Sequence, residues 1–310
     1  MTTYSSAVVP DIPIDVIDLP VFKQAGVQLE LLRLDLVHPL ISGNKWFKLK
    51  YALQAFQLSD CQRILSFGGA WSNHIHALAY AGFEQGIETV GVIRGERAGQ
   101  LSPTLVDAER WGMQLEFVSR WQYRGKSDAE FVARLRDKYG DFYSLPEGGS
   151  GEWVIAGCRE IISLFDAAAY DLICCACGTG GTLAGLIAGK PEGATLLGVS
   201  ALKGGDFLYA DIRELLAAAS IDDPGGWSLA LDCHEGGYAK VSSRLAAAMQ
   251  YFTQHSGIGL EPVYTGKALL ALLQKLERGE FARGDRVMLV HTGGMQGLRG
   301  MKQTLLNRLA

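Results

Sequence analysis

The sequence predicts an α/β fold with parallel strands, and three observations lead to it. Apolar strand segments alternate with amphipathic helical segments along almost all of the 310 residues, the order that right-handed crossovers between parallel strands produce. Segments such as Leu172-Ile173-Cys174-Cys175-Ala176 are apolar without interruption, as in a sheet covered on both faces. Strands also end in glycine-bearing turns that lead into helices, at Gly68-Gly69 and at Gly178-Thr179-Gly180-Gly181.

Taken in order, residues 28–36 read as a strand and 44–58 as the helix that follows it. Residues 63–67 are a strand whose glycine turn leads into a helix over 72–85, with Ser72 as its N-cap. The strand 89–94 precedes a helix over 103–112, and the strand 114–118 precedes one over 127–139. Pro146 and the glycines of Glu147-Gly148-Gly149-Ser150-Gly151 then break the pattern, so 145–151 is the expected hinge. Beyond it come a helix over 153–165, the strand 171–176, a helix from Thr182 and the strand 195–200. A helix over 267–278, the strand 286–290 and a helix from Gln296 close the chain.

Hydrophobic residues make up 48% of the chain and charged residues 20%, enough apolar material for a buried core. A formal net charge of −4 gives no reason to expect a nucleic-acid partner or an anionic membrane surface. No apolar run reaches membrane-spanning length. The start, Met1-Thr2-Thr3-Tyr4-Ser5-Ser6-Ala7, lacks the basic residues and apolar core of a secretory signal. Six cysteines are too few for a disulfide scaffold, and Cys174, Cys175 and Cys177 read as buried small side chains on one strand. The expected location is a reducing cytoplasm.

Chemistry concentrates in glycine-bearing segments. In Ser42-Gly43-Asn44-Lys45-Trp46-Phe47-Lys48 a glycine turn opens a helix with Lys45 on its first turn. A Schiff-base lysine must lose its proton near neutrality, and both burial and a neighbouring cation lower an ammonium pKa. Lys48, one turn further on the same face, supplies that cation, while Trp46 and Phe47 help to dry the site. Alone, the segment reads more simply as a lysine-bearing surface helix. The glycines of Cys177-Gly178-Thr179-Gly180-Gly181-Thr182 let backbone N–H groups converge on one anion, and Thr179 and Thr182 add hydroxyls. This loop has neither the Gly-Lys-Ser/Thr of a Walker motif nor the third glycine of a dinucleotide fingerprint. A lysine amine with a glycine-rich phosphate cup points to pyridoxal 5′-phosphate (PLP) held as a Schiff base.

At Ser72-Asn73-His74, free N–H groups of a helix start suit a substrate carboxylate. His74 and His76 face different sides of that helix and find no third ligand, so no metal is expected. Tyr238, Tyr264, Thr265 and Thr292 lie in glycine-bearing loops after strands or before helices, where open α/β sheets place ligands.

Taken together and in this order, from Leu31 to the C-terminus, these segments resemble the 1-aminocyclopropane-1-carboxylate deaminase/D-cysteine desulfhydrase family. Its members are fold-type II PLP enzymes related to the tryptophan synthase β subunit. The motifs that carry the resemblance are Gly43-Asn44-Lys45, Gly68-Gly69 with Ser72-Asn73, Thr179-Gly180-Gly181-Thr182, and Val263-Tyr264-Thr265-Gly266-Lys267. The resemblance implies two open, twisted, parallel-rich sheets flanked by helices, with the cofactor between a large domain (1–50 and 148–310) and a small one (51–147). It also implies a homodimer. Lys45 would form the Schiff base, and Lys48 with the loop of Gly178, Thr179, Gly180, Gly181 and Thr182 would hold the phosphate. Asn73 would bond the pyridoxal 3-oxygen. Ser72, Asn73 and His74 would meet the carboxylate of a small amino acid, and Ser72, Tyr264 and Tyr238 would surround its reacting carbons.

Thr265 would stand at the pyridine nitrogen, with Thr292 nearby. Ring-opening deaminases resemble one another in having glutamate and leucine at these places, and desulfhydrase-like members have threonine at both. A carboxylate keeps a proton on the nitrogen and makes the ring a strong electron sink. A hydroxyl makes a weaker sink, which is adequate when thiolate is the leaving group. The resemblance therefore implies β-elimination from a small amino acid such as D-cysteine, giving pyruvate, ammonia and sulfide. The alternative is ring-opening deamination to 2-oxobutyrate and ammonia, and a further one is a non-catalytic protein that binds PLP or another anion. The chain departs from the family pattern at 34–40, which lacks a Lys-Arg-Asp/Glu run, and at Trp71, a bulky residue beside the carboxylate site.

Overall fold

A computed structural model describes residues 10–151 and 153–309. The segment Met1 to Ala7, read above for a secretory signal, lies outside the described residues. The strands are β1 (Ile14–Ile17), β2 (Gln28–Leu32), β3 (Arg63–Gly69), β4 (Glu88–Arg94), β5 (Gln114–Val118), β6 (Tyr143–Leu145), β7 (Leu172–Cys177), β8 (Leu196–Ser200), β9 (Trp227–Ala230) and β10 (Arg286–Val290). The first helices are α1 (Pro20–Ala25), α2 (Asn44–Gln57), α3 (Asn73–Gln85), α4 (Pro103–Arg110), α5 (Arg120–Arg124) and α6 (Ala129–Tyr139). They are followed by α7 (Val154–Ile162), α8 (Gly181–Gly189), α9 (Leu208–Ala218), α10 (Ser243–Ser256), α11 (Thr265–Glu277) and α12 (Leu298–Leu309). No described helix is long and apolar enough to cross a membrane.

The strands form a six-stranded sheet of order β1-β2-β10-β7-β8-β9 and a four-stranded sheet of order β5-β4-β3-β6. Every pair in the smaller sheet is parallel. The larger sheet is parallel except at its edge, where β1 and β2 run antiparallel. Two parallel-rich sheets flanked by helices are the architecture expected for a fold-type II PLP enzyme.

The antiparallel edge corrects the expectation of parallel pairing alone. The link between β1 and β2 is the short helix α1, ended by Gly26 in the left-handed region at φ 72°. Such a link folds the chain straight back, whereas parallel pairing needs a longer crossover. The strand expected over 28–36 stops at Leu32, and Leu34–Leu36 form a 3₁₀ turn. There the Arg33 guanidinium bonds Asp15 at 2.7 Å and Asp35 at 2.8 Å, and the chain leaves the sheet. The helix expected from Lys267 begins at Thr265, because the Glu261 carboxylate accepts the N–H groups of Val263, Tyr264 and Thr265. The short strands β1, β6 and β9 and the helices α9 and α10 were not anticipated. The strands are too brief to show a period, and α9 has Phe207 at its N-cap, with no side-chain cap.

The fold directs strand ends and helix starts toward one gap between the sheets. β3 leads through Gly69 into α3, β7 leads through Gly178 into α8, and β10 leads into Thr292. Helix α2 is held against α7 at very close range. A Cβ on Gly157 would lie 2.0 Å from the Phe47 carbonyl oxygen. Phe47 itself is fully buried, a burial that contributes about 1.5–3 kcal/mol. Since α2 also carries Lys45, this contact fixes the depth of the lysine. Gly157→Ala must push α2 and α7 apart and is expected to cost about 1–3 kcal/mol. A thermal-denaturation midpoint unchanged from the parent protein would contradict this packing.

Candidate active site

A cavity of about 540 Å³ opens between the two sheets. The Gly69–His74 turn and Arg94 line one side, and Cys177–Gly180, Tyr264 and Thr292 line the other. Lys45 and Lys48 lie among its lining residues.

Lys45 reaches this position through Gly43, whose φ of 67° and ψ of −145° suit only glycine. A Cβ there would lie 2.0 Å from the Thr292 carbonyl oxygen, which also accepts the Asn44 N–H at 3.2 Å. The first turn of α2 is thus docked on the loop after β10. Lys45 Nζ donates to Asn44 Oδ1 at 3.1 Å, and Asn44 Nδ2 donates to Thr182 Oγ1 at 2.8 Å. Burial lowers the Lys45 pKa to about 7, with the Lys48 ammonium adding to the shift. Lys48 is 3% exposed and is lowered as well, again mainly by burial.

Two buried amines stand one turn apart, and their hydrogen-bond partners are neutral: Asn44 for Lys45, and the Gly148 carbonyl at 3.4 Å for Lys48. Burying charge without a counter-ion is costly. The glycine loop opposite supplies an anion site of matching size. Gly180 is left-handed at φ 76°, α8 starts directly after it, and a Cβ on Gly181 would come 3.2 Å from Lys48 Nζ. Thr182 is buried, and Thr179 Oγ1 lies 2.5 Å from Ser150 Oγ. Free N–H groups, hydroxyls and an ammonium around a space that a side chain would fill are what a phosphate group needs. The residues present therefore fit PLP, with its phosphate in the cup and its aldehyde toward Lys45.

At the start of α3, Ser72 accepts the Ile75 N–H at 3.2 Å. Gly68 makes room for this turn, since its Cβ would lie 2.8 Å from Ser72 Oγ. Asn73 and His74 occupy the first helical positions, where N–H groups have no partner within the helix. The His74 side chain turns away into the core. Its Nε2 lies 2.8 Å from Ser66 Oγ, which donates to the Leu145 carbonyl at 2.7 Å. Burial holds this imidazole well below its ordinary pKa. What His74 offers a ligand is its backbone N–H. His76 takes a different partner, Asp107, at 3.3 Å, as expected for histidines on separate faces.

Tyr264 and Tyr238 meet at the other side. Their rings are 6.1 Å apart at 70°, and the Tyr264 hydroxyl donates to that of Tyr238 at 3.5 Å. Burial raises the pKa of both phenols, that of Tyr264 well above its ordinary value. Both are therefore neutral proton donors at neutral pH. Thr265 is fully buried, with Oγ1 3.4 Å from Thr292 Oγ1.

Most of the residues singled out in the sequence line this cavity; Gly181 and Thr265 do not, and Thr265 lies behind Thr292, to which it is joined through its hydroxyl. Two residues that the sequence reading missed support it. Glu261 holds the Tyr264 N–H at 2.8 Å and the Thr265 N–H at 2.6 Å. Burial raises its pKa to about 7 against the opposing effect of those N–H bonds. An acidic residue shortly before a helix start was its only signal. Gln296 donates from Nε2 to Asn73 Oδ1 and accepts from Thr104 Oγ1 at 3.1 Å. It bridges the two sheets' helices, and nothing local marks it in the sequence. The Trp71 indole packs over Gly300 of α12, where a Cβ would come within 2.3 Å of it.

Comparisons with known proteins identify the family. The profile of the family described as "Pyridoxal-phosphate dependent enzyme" matches residues 11–293. A Thermotoga maritima protein named "Putative 1-aminocyclopropane-1-carboxylate deaminase" is 28% identical, over 92% of this chain and 94% of its own length. An Arabidopsis thaliana protein named "Bifunctional D-cysteine desulfhydrase/1-aminocyclopropane-1-carboxylate deaminase, mitochondrial" is also 28% identical, over 96% of this chain and 79% of its own. The solved structure titled "Crystal Structure Analysis of the ACC deaminase homologue" superposes with a TM-score of 0.86 at 26% identity, over 98% of this chain and 95% of that one. The chain belongs to the pyridoxal-phosphate dependent enzymes of fold type II and is related, within them, to the 1-aminocyclopropane-1-carboxylate deaminase/D-cysteine desulfhydrase family.

Proposed function

We propose that this PLP-dependent enzyme eliminates a β-substituent from a small amino acid of the D-cysteine type, releasing pyruvate, ammonia and the substituent. The observation that carries this reading is the buried Thr265–Thr292 hydroxyl pair, 3.4 Å apart. Position 265 offers a hydroxyl, which pins no proton on a pyridine nitrogen, and this suffices for a good leaving group. A second reading is ring-opening deamination of 1-aminocyclopropane-1-carboxylate to 2-oxobutyrate and ammonia. The names of the Thermotoga relative and of the solved homologue favour that reading over desulfhydration, and the name of the Arabidopsis relative joins both.

When bound, PLP supplies an electron sink for the bond broken at the substrate Cα. The protein does the rest. The N–H groups of Asn73 and His74 and the Ser72 hydroxyl hold the substrate carboxylate at the start of α3. Lys45 Nζ, whose pKa of about 7 leaves much of it unprotonated at neutrality, takes the proton from Cα. The neutral Tyr264 and Tyr238 hydroxyls face the leaving group and deliver a proton to it.

Lys45→Ala is expected to lower turnover by about 10²–10⁴-fold or more, and borohydride reduction of the PLP-loaded parent should leave the cofactor attached at Lys45. A modified residue other than Lys45, found by peptide mass mapping, would remove the basis of the mechanism.

The rate at which apoenzyme takes up PLP should rise with pH and level off above about 7, the region where the Lys45 amine loses its proton. Below that region the ammonium predominates, and the rate should fall about tenfold per pH unit. A rate flat between pH 5 and 9, followed by absorbance after mixing, is incompatible with the depressed amine.

Thr265→Glu combined with Thr292→Leu should raise 2-oxobutyrate formation from 1-aminocyclopropane-1-carboxylate relative to pyruvate formation from D-cysteine. If the parent already makes 2-oxobutyrate faster than pyruvate, the second reading is correct.

A further inference from the structure

We infer that Lys267 is a positioning residue, whose amine ties the loop carrying Tyr238 to the end of β8 and so sets that tyrosine against Tyr264. Lys267 is fully buried. Its Nζ donates to the Gly237 carbonyl at 2.8 Å and to the Ala201 carbonyl at 3.2 Å. Gly237 directly precedes Tyr238, and Ala201 directly follows β8. The lysine also belongs to the first turn of α11, where its N–H bonds the Tyr264 carbonyl at 3.0 Å. One turn of helix thus carries Tyr264 and, through Lys267, grips the chain beside Tyr238.

The loop needs such a grip. On either side of Tyr238 the backbone is left-handed, at Glu235 (φ 54°), Gly236 (φ 98°), Gly237 (φ 127°) and Ala239 (φ 56°). Left-handed residues other than glycine are disfavoured unless the surroundings hold them. Apart from the Tyr238–Tyr264 contact, the loop's other hydrogen bonds are local, such as Gly236 N–H to His234 Nδ1 at 2.9 Å and Arg244 to Glu235 at 2.6 Å. A buried amine is also a costly way to fill space that an apolar side chain would fill. Burial lowers its pKa to about 8, while the Glu261 and Glu235 carboxylates act in the opposite sense.

The inference rests on the reading above that Tyr238 and Tyr264 face the reacting carbons, and its test separates the two. Lys267→Met keeps the length of the side chain and removes its donors. In the PLP-loaded enzyme, amide hydrogen exchange over residues 234–241 should speed up about tenfold or more, with exchange in α2 around Lys45 unchanged. Turnover should fall about tenfold or more with KM changed less. In a Tyr238→Phe background, the same lysine substitution should lower turnover less than about twofold, because the group it positions is gone. Should Lys267→Met be recovered only unfolded, Lys267→Gln, which keeps one donor, provides the same readings at smaller amplitude. Unchanged exchange over the loop, or an equal loss of turnover with and without the Tyr238 hydroxyl, would overturn the proposal. Full turnover by Tyr238→Phe alone would instead overturn the catalytic reading of that tyrosine, while loop exchange would still report on the tether.

Discussion

Two lysine amines, buried one helical turn apart, are the constraint around which the rest of the structure is arranged. Each is lowered by burial, and the repulsion between them adds to the shift in Lys45. Their hydrogen-bond partners are an amide oxygen and a carbonyl. A bundle of apolar side chains would be more stable in the same volume. The arrangement becomes favourable only when an anion enters, and the start of α8 faces that space with a glycine loop. Stability and cofactor affinity are therefore opposed in the empty protein and aligned in the loaded one. In the mechanism proposed above, the depressed amine of Lys45 would serve first as nucleophile toward the cofactor and then as base.

Much of this was legible in the sequence, for a physical reason. Segments that bind phosphate or carry a reactive lysine need glycine at particular backbone conformations, and glycine-bearing runs between apolar strands stand out. Gly43, Gly180 and Gly68 near the end of β3 are of that kind, and each is required by a left-handed φ or by contact closer than a Cβ allows. The parallel-rich sheets were legible because their strands are apolar on both faces. What escaped the reading depends on residues far apart in the chain. Gln296 is separated from Asn73 by 223 residues and from Thr104 by 192. Nothing in its own neighbourhood distinguishes it from a surface glutamine at a helix start. Likewise β1 becomes a strand only because β2 offers it an edge, and of its four residues only Ile17 is buried.

The site is shared between the two sheets, and its polar contacts are arranged to make that sharing specific. The Gly69–His74 turn belongs to the four-stranded sheet, while Lys45, the glycine loop and both tyrosines are attached to the six-stranded one. Gln296 and Arg299, from the segment after β10, reach Asn73 and Asp107 on α3 and α4. Hydrogen bonds of this kind contribute little net stability. Their geometric demands are stricter than those of apolar packing, so they select one relative placement of Asn73 over its neighbours. The amide of Asn73 is thereby held by the opposite side of the cleft, the side to which the cofactor would be bound.

The start of α11 shows how few residues such a site needs to be fixed in three directions. Glu261 takes the three N–H groups that an uncapped helix would leave bare, which sets where the helix begins and hence where Tyr264 and Thr265 point. Gly266 has no room for a side chain, because a Cβ would lie 2.8 Å from the Met249 sulfur of α10 and 3.0 Å from the Glu261 carbonyl. Lys267 then leaves the same turn in the opposite direction, toward the Tyr238 loop. A carboxylate and an ammonium would ordinarily pair at this spacing. Here each is engaged by backbone groups; their mutual attraction lowers the Glu261 pKa and raises that of Lys267, while burial, the larger effect, acts the other way on both. Replacing Glu261 would leave three backbone N–H groups without this acceptor, and replacing Lys267 would leave two carbonyls without this donor, so each substitution loosens a different side of the same turn.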